Sequence, residues 1–286
     1  MILGVAHNAI KVSDMDKAID FYCGTVGFTK AFDLKNSEGK PWIEYLKICN
    51  NAFLELFYGG EKRTPAYEGG AIGYHHWCVS VGADLMPELA KRFFAKGLIK
   101  SPDLKKSDDD TISLWIHDPD GNALEFVQYG PEGPHMKANK APYDFTKKGY
   151  TGIAHMAYHV SDIEASLHYY RDILGFALSH TLDRDGKPWL YYLRVSDGTF
   201  LELYPGATKA YNLTNQSAAQ MHMCIECQDV AETVAELRGK GAPIDSDAKV
   251  GADFNTQAWT HDPDGNKIEL MTISPKSPQA KASSEG

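Results

Sequence analysis

Four carboxylates sit inside short apolar runs, where an ionised group is costly unless it is paired, hydrogen-bonded or bound to a cation. They are Glu55 (residues 53–58), Glu125 (123–127), Glu202 (200–204) and Glu269 (267–271). Four histidines, His7, His76, His155 and His222, each open a strand-like run further upstream. Imidazole and carboxylate together suit a divalent transition metal: nickel, cobalt, zinc, manganese or iron. Two carboxylates would neutralise a dication, and an octahedral ion with four protein ligands would keep two positions for water or substrate. Cys-rich zinc spacing is absent. The plain reading of one such His or Glu is a satisfied core residue or a Glu paired with a base. Here it must be invoked eight times at matching places.

Each ligand candidate must be carried by a repeated unit. Residues 5–12 alternate like a strand, Ser13 and Asp14 offer a helix N-cap, and Gly27 a stop. Strand-like runs follow near 29–35, 42–48 and 52–58, giving one β-α-β-β-β module. A second begins at 75–81, with a helix over 84–96, a weakly marked strand near 102–106 and strands near 111–117 and 122–128. The Asp-Pro-Asp-Gly-Asn run at 118–122 is a turn by its Pro and Gly. The pattern then restarts. His155, Gly175, Trp189 and residues 262–266 repeat His7, Gly27, Trp42 and residues 118–122, at an offset drifting from 148 to 144. The expected fold class is α+β, with four βαβββ modules forming two open-barrel domains at 1–130 and 151–273. Residues 131–150 read as a linker and 274–286 as a disordered tail.

Strand parity sets faces. Trp77, Val79 and Val81 form an apolar set, leaving His76, Cys78 and Ser80 opposite. Met221, Met223 and Ile225 leave His222, Cys224 and Glu226 opposite. His7 and His155 oppose Ile10 and Tyr158 in the same way. All four candidate ligands therefore turn away from the helices, whereas His75 has the wrong parity and reads as a packing residue or a support to the ligands. His117 and His261 read as partners of the tight turns, and Trp42 and Trp189 as hairpin entries or pocket walls.

The formal charge of −9 argues against nucleic acid as a main partner. No apolar run approaches a membrane span and no secretory signal is legible, so no membrane partner is expected. Five cysteines, including Cys224 and Cys227 on opposite faces of one strand, suit a reducing cytoplasmic setting.

The opening His and closing Glu of paired β-α-β-β-β modules resemble the vicinal oxygen chelate superfamily, which includes glyoxalase I, epimerases, extradiol dioxygenases and bleomycin-binding proteins. The stretches 7–28 and 155–176 are similar to the opening signature of glyoxalase I, and 73–76 to its second. The resemblance implies metal ligands His7, Glu55, His76, Glu125, His155, Glu202, His222 and Glu269, with nickel or cobalt favoured. It implies a lyase or isomerase acting on a small molecule with adjacent oxygens through an enediolate. Glu125 or Glu269 would move the proton, with Glu55 or Glu202 opposite. The alternatives are an extradiol ring-cleaving dioxygenase and a small-molecule sequestering protein. Lys11, His159, Gly59 and Gly206 stand where glyoxalase I holds glutathione, so those contacts do not carry over. Modules pair across the halves in glyoxalase I and consecutively in extradiol enzymes. Both pairings give complete sites here, in a monomer or a homodimer.

Overall fold

The computed structural model describes residues 1–62, 70–210 and 217–284. The first module holds β1 (Ile2–Lys11), β2 (Thr29–Lys35), β3 (Pro41–Cys49) and β4 (Ala52–Phe57). The second holds β5 (Gly73–Val81), β6 (Thr111–His117) and β7 (Ala123–Tyr129). Its weakly marked strand near 102–106 is reduced to a single bridge between Lys106 and Ile112. The third holds β8 (Tyr150–Val160), β9 (Ala177–Arg184), β10 (Lys187–Ser196) and β11 (Thr199–Pro205). The fourth holds β12 (Gln220–Cys227), β13 (Ile244–Val250), β14 (Thr256–His261) and β15 (Lys267–Thr272).

Two open sheets result, and each draws on both halves of the chain. One has the order β13-β14-β15-β12-β1-β4-β3-β2, the other β6-β7-β5-β8-β11-β10-β9. The first module therefore pairs with the fourth through β1 and β12, and the second with the third through β5 and β8. Both seams are antiparallel, and each opening strand also pairs in parallel with the Glu-bearing strand of its own module.

Helices cover one face of each sheet. Asp14 caps α1 (Met15–Ile19) by accepting from the Lys17 N–H, and the helix runs on as a π-helical stretch, Asp20–Val26, closed by Gly27 in the left-handed region. Asp162 caps α4 (Ile163–Leu167) in the same way, ahead of a second π-helical stretch, His168–Ile173. Two longer helices, α2 (Met86–Ala95) and α5 (Val230–Gly239), belong to the second and fourth modules. The main core lies beneath these helices and includes Ile10, Trp77, Val79, Tyr158, Met223 and Ile225, the alternate positions that parity assigned to it. Smaller clusters around Ala9, Tyr45 and Phe53, and around Cys78, Ala154 and Phe200, line the opposite, concave faces.

The Asp-Pro-Asp-Gly-Asn turns fasten the modules together. Asp118 accepts from the Asp120 and Asn122 N–H groups and from the Tyr22 hydroxyl at 3.0 Å. Asp262 does the same with Asp264, Asn266 and Tyr170. Asp120 and Asp264 accept from the backbone N–H groups of Ser13 and Ser161, the residues that follow β1 and β8.

Two segments depart from expectation. The tail is ordered over residues 278–284, which form α6 (Pro278–Ser284), while residues 285–286 lie outside the described residues. Gln279 is fully buried and accepts from Asn255 at 3.1 Å, and Lys47 donates to the Ala282 carbonyl at 2.8 Å. These are polar anchors with no apolar period, so hydrophobic pattern could not announce them. The segment 131–150 carries α3 (Pro134–Lys137), whose His135 is buried among Tyr129, Tyr192 and Phe200.

Candidate metal centres

The eight candidate ligands gather into two groups, one on the concave face of each sheet. In the first centre His7 comes from β1, Glu55 from β4, His222 from β12 and Glu269 from β15. His7 Nε2 lies 3.2 Å from Glu55 and 3.0 Å from Glu269; His222 Nε2 lies 3.6 and 3.3 Å from the same carboxylates. The two Nε2 atoms stand 3.2 Å apart. In the second centre, His76 and His155 approach to 2.9 Å, His155 lies 2.9 Å from Glu125 and 3.3 Å from Glu202, and His76 lies 3.4 and 3.7 Å from them. All eight side chains are buried.

Donors each about 2.1 Å from one small cation stand roughly 3.0–3.4 Å apart around it. The His–His and His–Glu spacings, 2.9–3.7 Å, are near that size. His7, Glu55 and His222, His7, Cys224 and Glu269, and His76, Glu125 and His155 each lie close enough together to share one ion, and neutral imidazole with carboxylate is a fitting donor set for a divalent ion. Both centres have the same make-up because each opening strand lies between the Glu-bearing strand of its own module and, across the seam, the opening strand of the partner module.

Electrostatics distinguish the two carboxylates of the first centre. Burial raises Glu269, but the bonds from His222 and His7 outweigh it and hold the carboxyl below its ordinary range. Burial dominates at Glu55, whose contacts with the two imidazoles are longer, and its carboxyl is pushed up. Glu125 is held low by His155 and His76 against its own burial. Burial lowers His7 and His155, yet the neighbouring carboxylates more than reverse it and both imidazoles are raised.

A surrounding ring of groups was only partly legible. Tyr45 hydrogen-bonds Glu55, and the Tyr204 hydroxyl donates to Glu202 at 3.2 Å. The thiols of Cys224 and Cys78, on the ligand face by parity, hydrogen-bond Glu269 and Glu125. Trp259 meets the His222 ring edge-on at 4.8 Å, and Trp115 tilts over His76 at 4.5 Å. Trp42 reaches Phe57, which in turn meets His222, while Trp189 tilts over Tyr204. The tyrosines gave no signal because an alternating Tyr reads as ordinary strand.

Parity misplaces two residues. Tyr74 pairs with Tyr158 and His76 with Ala157, leaving His75 as an extra residue in β5. Gln220 pairs with Ile10 and His222 with Ala9, leaving Met221 extra in β12. Such a bulge turns one side chain out of alternation, so Met221 joins the concave-face cluster and His75 reaches His76. His261 also departs from the turn-capping role expected of it: it pairs with Asp245 across the β13–β14 ladder at 2.9 Å.

A cavity of about 300 Å³ opens beside the first centre, lined among others by His222, Trp259, Gln220, Ser217 and Lys267.

A profile of the Glyoxalase/Bleomycin resistance protein/Dioxygenase superfamily matches residues 4–126 and 152–270. The chain belongs to this superfamily. Among its relatives is the glyoxalase I of Saccharomyces cerevisiae, 22% identical over 311 aligned positions that take in 93% of this chain and 91% of the yeast protein. Another is an iron-dependent extradiol dioxygenase of Rhodococcus jostii, 36% identical over 205 positions covering 67% of this chain and 63% of that one. The glyoxalase I structure from Zea mays superposes with a TM-score of 0.64 at 19% identity, over 94% of this chain and 92% of its own. That likeness concerns the fold. Among the described residues, no helix is long and apolar enough to cross a membrane.

Proposed function

We propose that this superfamily member is a cytoplasmic, divalent-metal-dependent lyase or isomerase of the glyoxalase I type. It acts on a small molecule with adjacent oxygens through an enediolate of the substrate. The observation that carries the proposal is the convergence of two imidazoles and two carboxylates, twice over, at the spacing of donors around one ion. The metal supplies Lewis-acid polarisation of the substrate oxygens, and nickel or cobalt is the favoured ion by likeness to glyoxalase I. Relatives named glyoxalase I support the choice of reaction, and five unpaired cysteines accord with a reducing compartment.

The chain's own part is to hold the ion and move a proton. By likeness to glyoxalase I, one carboxylate of each centre takes the proton and the one opposite returns it. In the first centre Glu269 stays ionised at neutral pH and serves as the base that takes the substrate's α-proton. Glu55, the carboxylate opposite, is the group that returns it. In the second centre Glu125 takes the base role, opposite Glu202. Trp259 and Trp115 wall the two centres beside His222 and His76 and limit access of water.

The relative named as an extradiol dioxygenase favours a second reading, ring cleavage with iron and oxygen. A four-donor set leaves fewer positions for oxygen and a catechol, which ranks this reading second. The deciding experiment loads the protein with nickel(II), cobalt(II) or iron(II) and screens α-ketoaldehyde–thiol adducts, acyl-CoA epimers, hydroxy-ketones and catechols. Exchange of the α-hydrogen with solvent without oxygen uptake supports the lyase or isomerase. Oxygen uptake with ring-cleaved product overturns it in favour of the dioxygenase.

A further inference from the structure

The two centres share their donors but differ in what holds them, and the difference lies at the two bulges. His75 Nδ1 sits 2.6 Å from His76 Nδ1. At that distance the two nitrogens share one proton: two lone pairs would repel, and so would two N–H groups. His76 Nε2 faces His155, Glu125 and Glu202, where a cation would need its lone pair. The proton of His76 therefore belongs on Nδ1, donated to His75. The His75 ring is itself held, stacked on Tyr204 at 4.8 Å and 19° and met edge-on by His159 at 4.6 Å. Tyr204 in turn donates to the ligand Glu202. Two ligands of the second centre are thus braced by one pair of stacked rings.

Among the described residues the first centre has no such pair of stacked rings, and Glu55 takes its hydrogen bond from Tyr45. Met221 occupies the equivalent bulge, and Phe57 follows Glu55 by two residues as Tyr204 follows Glu202. A thioether and a phenyl ring stand where the second centre has an imidazole and a phenol. Partners that fix a ligand's tautomer and orientation commonly change metal affinity about 10- to 100-fold.

We infer that His75 is a positioning residue, which fixes the tautomer of His76 and makes the second centre the tighter of two chemically matched metal sites. The inference rests on the metal reading above, and the test separates the two. Chelator competition against cobalt(II) or zinc(II) should resolve two classes of site in the full chain, about 10- to 100-fold apart. His75→Met should weaken the tight class by that factor and leave the other unmoved. His75→Gln, which keeps an acceptor at that place, should retain most of the affinity, and Met221→His should tighten the weak class. Histidine 15N shifts, in zinc-loaded and metal-free protein, should show His76 protonated at Nδ1. A tight class unchanged in His75→Met, or a His76 bare at Nδ1, overturns the inference. A wild-type chain that takes up neither ion overturns the metal reading, and the 15N shifts of the metal-free chain then still judge the His75–His76 pairing.

Discussion

His7 and His222 lie 215 residues apart in the chain, yet their Nε2 atoms are 3.2 Å apart. β1 and β12 pair directly, so the first centre takes two donors from each half of the sequence. The second does the same through β5 and β8.

Each centre should therefore be removable alone. His222→Ala should lower the metal content from two equivalents to one, and His76→Ala should remove the other. Elemental analysis after desalting measures this, and a double variant that keeps both equivalents would refute the assignment of ligands.

Proton transfer should depend on Glu269 and Glu125. Substituting both by Gln, which keeps their shape, should lower turnover about 100-fold or more, with the fold intact by circular dichroism. Each single variant should lose only the share of activity carried by its own centre. Steady-state assays on the substrate found by screening decide the matter.

Metal uptake should be coupled to protons. His7 and His155 are raised in the metal-free protein, so an entering cation must displace protons from them. Apparent affinity should rise with pH through the raised imidazole values and flatten above them. Calorimetry in buffers of different ionisation enthalpy should show net proton release near neutral pH. Stability of the metal-free fold should run the opposite way. The part due to these imidazoles is fully present below their unfolded value of about 6.5 and is lost as pH rises through the folded one. Denaturant midpoints across that range, with and without metal, give both signs.

The turn carboxylates should matter for stability. Asp118 is buried and holds two backbone N–H groups and the Tyr22 hydroxyl. Asp118→Ala leaves those donors without an acceptor, and the cost should be about 1–3 kcal/mol for each that stays buried. Urea unfolding measures it, and Tyr22→Phe, which removes one partner only, should cost less.

The sequence carried the repeat, the module order and the face taken by the four opening-strand histidines, because alternation in a half-covered strand records which side is buried. His7 against Ile10 and His155 against Tyr158 are read correctly on that rule alone. It fails at His75 and Met221, because an extra residue in a strand leaves no mark in local hydrophobicity. Module pairing was illegible for a different reason: β1 meets β12 through backbone hydrogen bonds, which any sequence can make. The helix at 278–284 escaped notice because buried amides and a lysine hold it.

The nested pairing of modules also orders events during synthesis. All four donors of the inner centre have been made once Glu202 is added, whereas the outer centre waits for Glu269, the last of the eight. At about 5–20 residues per second a nascent chain spends several seconds with the inner sheet able to close while β1 still awaits β12. Over that interval the edge of β1, the strand that carries His7, stays open, and only translation of the final module covers it.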